Sequence, residues 1–242
     1  MPPKKPHQKP LSCSVTLKSY PPSTGQQCAR FPTVILVNSA SPYQTLSDLL
    51  DAARARPGDL TFASFGPATA EQIAFEMLKR AANVNMTFVP YPGYAPAVSV
   101  LLGDHVTSVL ADYSASAQQL AAGKLRAMAT LSRTRIEALP NVPTMAELGY
   151  KDIELDFWSG LFAPAKTPKQ TVSNLAGWFT AAIQLPEVRA RLIGQGFYPV
   201  GICGSEFRTL VRKQYDEYGH AIRELNFKVE PKSLSSRNST IA

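Results

Sequence analysis

Apolar residues recur along the middle of the chain in two patterns. Short apolar runs at 32–37 (PTVILV), 60–64 (LTFAS) and 86–91 (MTFVPY) predict buried strands. Between them, apolar positions repeat at helical spacing, as in the stretch that starts with Thr45 as a candidate N-cap. Strands that alternate with helices of this length predict an α/β fold with parallel strand pairing.

The same alternation continues toward the C-terminus. Further strands are predicted at 105–112 and 125–132, with a helix at 114–122 between them. Beyond residue 150 the pattern predicts an extended stretch, three helices and one short strand. The last of these helices is expected to begin near Ser205.

Both ends of the chain lack this pattern. Residues 1–31 are basic and rich in proline, and they contain no apolar core typical of a secretory signal peptide. Residues 231–242 are polar, so both ends are predicted to be disordered. The hydrophobic content of 45% supports a packed core between them. No apolar run is long enough to predict a membrane span.

The charge distribution bears on possible partners. The net charge is +7, but residues 1–47 carry five basic residues without an acid, and residues 231–242 carry two more. The remaining 18 basic residues balance all 18 acids, so the body is neutral and nucleic acid is not an expected partner.

The residues with reactive or metal-binding side chains form no recognisable motif. The three cysteines have no spacing typical of a metal site, and no cofactor motif is present, so neither a metal nor a cofactor is predicted. Ser64, His105 and Asp112 do not form a catalytic pattern, so the chain is not expected to be an enzyme.

A strand breaks and a helix begins within residues 60–78, LTFASFGPATAEQIAFEML. Thr69 and Gln72 fit the capping-box pattern, which predicts a helix start at this point. The first N–H groups of a helix favour a carboxylate or a phosphate. The alternative is an ordinary turn before a well-capped helix, and the residues alone leave both interpretations open.

Several stretches resemble the receptors of tripartite tricarboxylate transporters, also called Bug-type periplasmic solute-binding proteins. The first is FASFGPATAEQIAFEML (62–78), which is similar to the family segment YASSGNGT..H...E.F. The second is VPYPGYAPAVSVLLGDHVTSVLAD (89–112), which is similar to VPYKGxxPAxxDLLGGxVDxxFD. The stretches 122–150 and 156–168 match in the same order, so the resemblance covers about residues 32–230.

The resemblance implies a type II periplasmic-binding-protein-like fold with two lobes. It places residues 32–150 mainly in lobe two, and residues 151–230 in the remainder of lobe one with the C-terminal helices. It also implies capture of small carboxylates between the lobes and delivery to a membrane permease. The implied location is the periplasm, although a chain translated as given would stay in the cytoplasm because residues 1–31 contain no signal peptide.

The resemblance also assigns residues to ligand binding. Asp112 matches an aspartate that ends a strand, whereas Phe65, Ala68 and Gln72 depart from the usual family residues. The alternatives are a core role for Tyr91, helix capping by Asp112 and packing by Trp158. The residues expected to bind ligand are Ser64, Phe65, Gly66, Ala68, Thr69, Tyr91, Gly93, Asp112 and Trp158.

Residues 1–31 do not resemble the segment that precedes this region in the family. The chain is therefore expected to be an N-terminally truncated member whose first lobe is incomplete. Exposed strand edges and exposed apolar surface would follow, and binding would be weak or absent. The alternative function is a remnant of such a receptor that binds nothing.

Overall fold

The computed structural model describes residues 24–66, 69–164 and 166–224. The strands in these ranges are β1 (Thr24–Asn38), β2 (Thr61–Phe65), β3 (Thr87–Tyr91), β4 (Ser108–Asp112), β5 (Leu125–Thr130), β6 (Asp156–Ala163) and β7 (Tyr198–Cys203). The helices are α1 (Leu46–Ala55), α2 (Ala70–Ala82), α3 (Tyr94–Leu102), α4 (Tyr113–Ala121), α5 (Lys169–Ile183), α6 (Pro186–Gly194) and α7 (Gly204–Glu224). Among the helices in the described ranges, none combines the length and apolar character needed to cross a membrane.

Strand β1 is the longest strand and takes part in two groups of strands. Its first half pairs antiparallel with β6 and β7, and its second half pairs antiparallel with β4 and β5. We call β6-β1-β7 the three-stranded sheet and β3-β2-β4-β1-β5 the five-stranded sheet. Because one strand belongs to both, the two sheets are continuous through β1.

The expected leader at residues 1–31 is wrong for residues 24–31, which form the first half of β1. This segment has the sequence TGQQCARF, which shows no apolar run or alternation. Its order comes from backbone pairing with β6 and β7, whose residues lie more than a hundred positions later. Residues 1–23 and the expected tail at 231–242 lie outside the described residues.

The five-stranded sheet confirms the predicted parallel pairing only in part. Strand β2 pairs parallel with β3 and with β4, as expected for strands joined by crossover helices. Strand β1 instead runs antiparallel to its neighbours β4 and β5. The α/β fold class is therefore correct, and the sheet is mixed rather than parallel throughout.

Alternate residues of β1 supply two cores, one on each face of the five-stranded sheet. Ile35 and Val37 face the core under α1 and α2, whereas Val34 and Leu36 face the core under α3. Helix α1 begins as predicted, because the Thr45 side chain accepts from the Asp48 N–H at 3.2 Å and the Asp48 carboxylate accepts from the Thr45 N–H at 2.9 Å.

The two sheets meet where β1 passes from Pro32 to Thr33. Pro32 pairs with Asp156 of β6, and the Thr33 hydroxyl donates to the Leu155 carbonyl at 2.7 Å. Arg30 donates to the Asp156 carboxylate at 2.9 Å, and Ser132 donates to its other oxygen. Burial raises the pKa of Asp156, although Ser132 and Arg30 oppose this shift. The expected division near residue 150 falls in the connection between β5 and β6.

Apolar side chains are exposed on α5 and on β6, an outer strand of the three-stranded sheet. The exposed fraction reaches 68% for Trp178. A groove of about 170 Å³ opens beside Gln26, whose buried Oε1 has no partner among the described residues. This exposure agrees with the expected apolar surface. We call the exposed side chains the α5–β6 patch, and they are Leu161, Phe162, Leu175, Trp178 and Phe179.

Candidate functional site

Three helices begin at one edge of the five-stranded sheet. Strands β3, β2 and β4 lie side by side and parallel, so their carboxyl ends meet at the same edge. Helices α2, α3 and α4 each start within five residues of the end of the preceding strand. The N-terminal end of each helix carries a partial positive charge and unpaired N–H groups. This edge is therefore suited to a small anion.

The turn between β2 and α2 differs from the predicted capping box. Thr69 is the N-cap residue of α2, but its side chain accepts no hydrogen bond from the helix. Its hydroxyl instead donates backward to the carbonyls of Phe65, at 3.0 Å, and Gly66, at 3.4 Å. The hydroxyl thus closes the turn instead of capping α2.

Gly66 fixes the path of this turn. Its φ of 44° lies in the left-handed region, which glycine adopts without a steric cost. Its N–H donates to the Tyr91 carbonyl at 2.8 Å and so joins the end of β2 to the end of β3. Ala68 lies outside the described residues.

The other residues predicted on β2 and β3 take different positions at this edge. Ser64 is fully buried, and its hydroxyl donates to the Leu110 carbonyl at 2.8 Å, so it is used inside the sheet. Phe65 is 41% exposed, and its ring lies 5.9 Å from that of Tyr94. Tyr91 is half-buried against the core under α3, which supports the alternative core role. Gly93 is the N-cap residue of α3.

Asp112 ends β4 at the same edge and lies opposite Thr33 of β1. It is the N-cap residue of α4, but its side chain accepts no capping hydrogen bond, so the alternative capping role is wrong. Its Oδ1 is buried without a hydrogen-bond partner among the described residues. Burial and the nearby Glu71 carboxylate raise the pKa of Asp112 to about 7.

Two residues at this edge were missed by the sequence prediction. Glu71 is only 2% exposed, and the Tyr94 hydroxyl donates to its Oε1. Burial, the charge of Asp112 and the hydrogen bond to Glu71 all raise the pKa of Tyr94, so its hydroxyl stays protonated. A signal for Glu71 was present, because it lies at helical spacing from the buried Ala74, Phe75 and Leu78.

Trp158 was predicted to bind ligand, but the structure packs it against α7. Its indole N–H donates to Gln214 Oε1 at 2.7 Å, and its ring meets Phe207 edge-on at 4.9 Å. Trp158 pairs with Arg30 of β1, whereas Asp112 lies opposite Thr33 of the same strand. Arg30 and Thr33 are three positions apart, a separation of about 10 Å along β1. These contacts support the alternative packing role.

Solved structures with this arrangement are periplasmic binding proteins. The periplasmic binding protein BugD is 26% identical and has a TM-score of 0.73, with 85% of this chain and 69% of BugD covered. An R. palustris protein solved with adipate is 25% identical and has a TM-score of 0.74, with 89% of this chain and 73% of that chain covered. The chain thus has the periplasmic-binding-protein-like α/β fold that the sequence predicted.

The model of the tripartite tricarboxylate transporter family receptor matches residues 24–227, so the chain belongs to that family. Its members among the solved structures are solute-binding receptors rather than enzymes. A UPF0065 protein from the tcbD-tcbE intergenic region of Pseudomonas sp. (strain P51) is 34% identical over 197 residues. That match covers 81% of this chain and 59% of the relative, so the chain spans less than two thirds of the relative's length.

Proposed function

We propose that this chain is a solute-binding receptor whose ligand is a small carboxylate, held at the carboxyl edge of β3, β2 and β4. The observation that carries the proposal is the convergence of the N-terminal ends of α2, α3 and α4 at that edge. These helices contain 13, 9 and 9 residues, long enough for each to contribute a dipole. The adipate-bound neighbour is consistent with a ligand of this class.

The biological setting follows from the family. We infer that the receptor works in the periplasm and passes its ligand to a membrane permease of the tripartite tricarboxylate type. Periplasmic binding proteins hold their ligand between two lobes that close on it. The three-stranded sheet of this chain supplies part of the second wall, and the relatives contain further chain beyond the matched region.

The experiment is a calorimetric titration of the full chain with adipate and with succinate. Gly93→Leu is the blocking variant, since Gly93 is the N-cap residue of α3 at this edge and a Cβ there would lie 3.7 Å from Pro96, an ordinary contact. Gly177→Leu on α5 is the matched control, because no atom lies within 4 Å of a Cβ at that position. We expect binding by the wild type and by Gly177→Leu, and none by Gly93→Leu.

The alternative is a remnant of such a receptor that binds nothing. The exposed α5–β6 patch favours this alternative, because apolar surface of that kind is normally covered in a complete domain. Failure of every carboxylate to bind at millimolar concentration would support the remnant and overturn the receptor.

A further inference from the structure

The turns that form the proposed site contain acids but no bases. Residues 64–72, 91–95 and 112–116 include Glu71 and Asp112 and contain neither lysine nor arginine. A ligand carboxylate at this edge is therefore attracted by backbone N–H groups and helix dipoles, and by no basic side chain of these turns. The two acidic side chains repel it unless another part of the ligand interacts with them favourably.

Glu71 and Asp112 differ in what they can offer a ligand. Glu71 is 2% exposed and already accepts a hydrogen bond from Tyr94, so it lies beneath the surface of the site. Asp112 is partly exposed, at the end of β4. Asp112 is therefore the acid that a ligand can reach, and the Glu71 carboxylate is near enough for its charge to act on Asp112.

The Asp112 carboxylate contains an acceptor without a donor. Its Oδ1 is shielded from solvent, and no described residue donates to it. It does not cap α4, although it occupies the N-cap position. Buried polar atoms are nearly always hydrogen-bonded, and an unsatisfied one costs about 1–3 kcal/mol. Rotation about χ2 of Asp112 exchanges its two oxygens, so a donor that arrives with the ligand at the exposed side of this carboxylate would remove this cost.

We propose that Asp112 selects, among small carboxylates, those that carry a hydrogen-bond donor on the carbon next to a carboxylate. Such a donor is a hydroxyl or an ammonium group. The Glu71–Tyr94 pair has a positioning role, because Tyr94 holds the Glu71 carboxylate where its negative charge acts on Asp112 and favours a donor. This inference rests on the proposed function, because it assumes that carboxylates bind at this edge.

The test compares three ligands with the same carbon skeleton, namely succinate, malate and aspartate. They differ only in carrying hydrogen, hydroxyl or ammonium on the carbon next to one carboxylate. We expect calorimetry on the full chain to show malate and aspartate binding about tenfold more tightly than succinate, the effect of one hydrogen bond to a charged acceptor. In Asp112→Asn we expect this preference to fall to about threefold or less.

The positioning role is tested with Tyr94→Phe, which removes the hydroxyl that donates to Glu71. We expect the ratio of the malate affinity to the succinate affinity to shrink, because the Glu71 carboxylate is no longer held in place. A purely structural effect would weaken all three ligands alike and would overturn the positioning role. Tyr215→Phe, on the exposed side of α7, is the matched control.

The outcomes separate this inference from the proposed function. Equal affinities for the three ligands in the wild type would overturn the inference and leave the carboxylate receptor standing. A full preference for malate and aspartate retained in Asp112→Asn would overturn the role of Asp112. Failure of all three ligands to bind would overturn the inference together with the proposed function.

Discussion

The two ends of β1 lie in sheets that bury their apolar surface to different extents. From Thr33 onward β1 is central to the five-stranded sheet, and Val34, Leu36 and Val37 are fully buried between two layers of helices. Before Pro32 it belongs to the three-stranded sheet, beside the exposed α5–β6 patch. In the three-stranded sheet β1 itself is largely buried, at Gln26, Gln27 and Ala29, and the exposed apolar side chains lie beside it on β6 and α5. The five-stranded sheet therefore buries its apolar surface more completely, which predicts that it is the more stable of the two.

The largest difference in stability is expected between two aromatic substitutions, one in the core of the five-stranded sheet and one in the α5–β6 patch. Phe75 is 1% exposed and stacks on Phe62 with ring centroids 4.2 Å apart. Phe75→Ala should lower the free energy of unfolding by about 3–5 kcal/mol, because it leaves a cavity in the core. Trp178, at 68% exposure, should change it by no more than about 0.5 kcal/mol when replaced by Ala.

Urea unfolding of both variants measures this difference. Equal losses would show that Trp178 is packed in solution, and the contrast between the two sheets would not hold.

A smaller effect is expected at the junction of the sheets. Arg30→Ala removes the cation that lies 2.9 Å from the Asp156 carboxylate. Because Asp156 is largely buried, we expect a loss of about 1–2 kcal/mol in the free energy of unfolding. Arg212→Ala is the control, since its ion pair with Asp216 is exposed on α7. A loss of the same size in the control would contradict the special position of Arg30.

Stability should depend on pH through Asp112. Its pKa is about 7 in the folded chain, against about 3.9 for an aspartate in an unfolded chain. Between these values the folded state binds more protons than the unfolded state, so the contribution of Asp112 to stability falls as pH rises from about 4 to about 7.

Asp112→Asn removes this loss. We expect its melting temperature to exceed that of the wild type by roughly 2–4 °C at pH 8, and by less at pH 5. Thermal unfolding at both pH values measures the difference, with Asp152→Asn as an exposed control. A gain that is equal at the two pH values would show that titration of Asp112 is not its cause.

The smallest effect compares two helix starts in the five-stranded sheet. Thr45→Ala removes a real capping box from α1 and should cost about 1 kcal/mol. Thr69→Ala should cost less, because the Thr69 hydroxyl bonds to the turn and does not cap α2. Chemical unfolding of the two variants gives the ranking, and the reverse order would contradict the assignment of the caps.

The fold was predictable where order comes from nearby residues. The Thr45 cap and the apolar stripes of α1 and α2 depend on residues three and four positions apart, and the structure contains them. Residues 24–31 were missed because their order depends on strands formed much later in the chain. The antiparallel direction of β1 was missed for the same reason, because it depends on pairing with strands such as β6 and β7 that lie much later in the chain.

The location of the candidate site was predictable, but the directions of its side chains were not. Motif order brought Gly66, Gly93 and Asp112 to one edge of the sheet. The hydrogen bond of Ser64 to Leu110 and the contact of Trp158 with α7 depend on how separate elements pack. A linear pattern contains no information about such contacts, and they favour a scaffold role for these two residues, which the resemblance assigned to the ligand.

The position of β1 in two sheets also has a consequence for the local opening of the chain. Amide hydrogens exchange with solvent when their segment opens, and the rate reports the local cost of opening. Because β1 crosses between two sheets that bury their apolar surface to different extents, its amides should exchange at two rates, slower from Thr33 to Asn38 and faster from Thr24 to Arg30. The two halves of one continuous strand would then open at different rates. The boundary between them falls at Pro32, which carries no amide hydrogen.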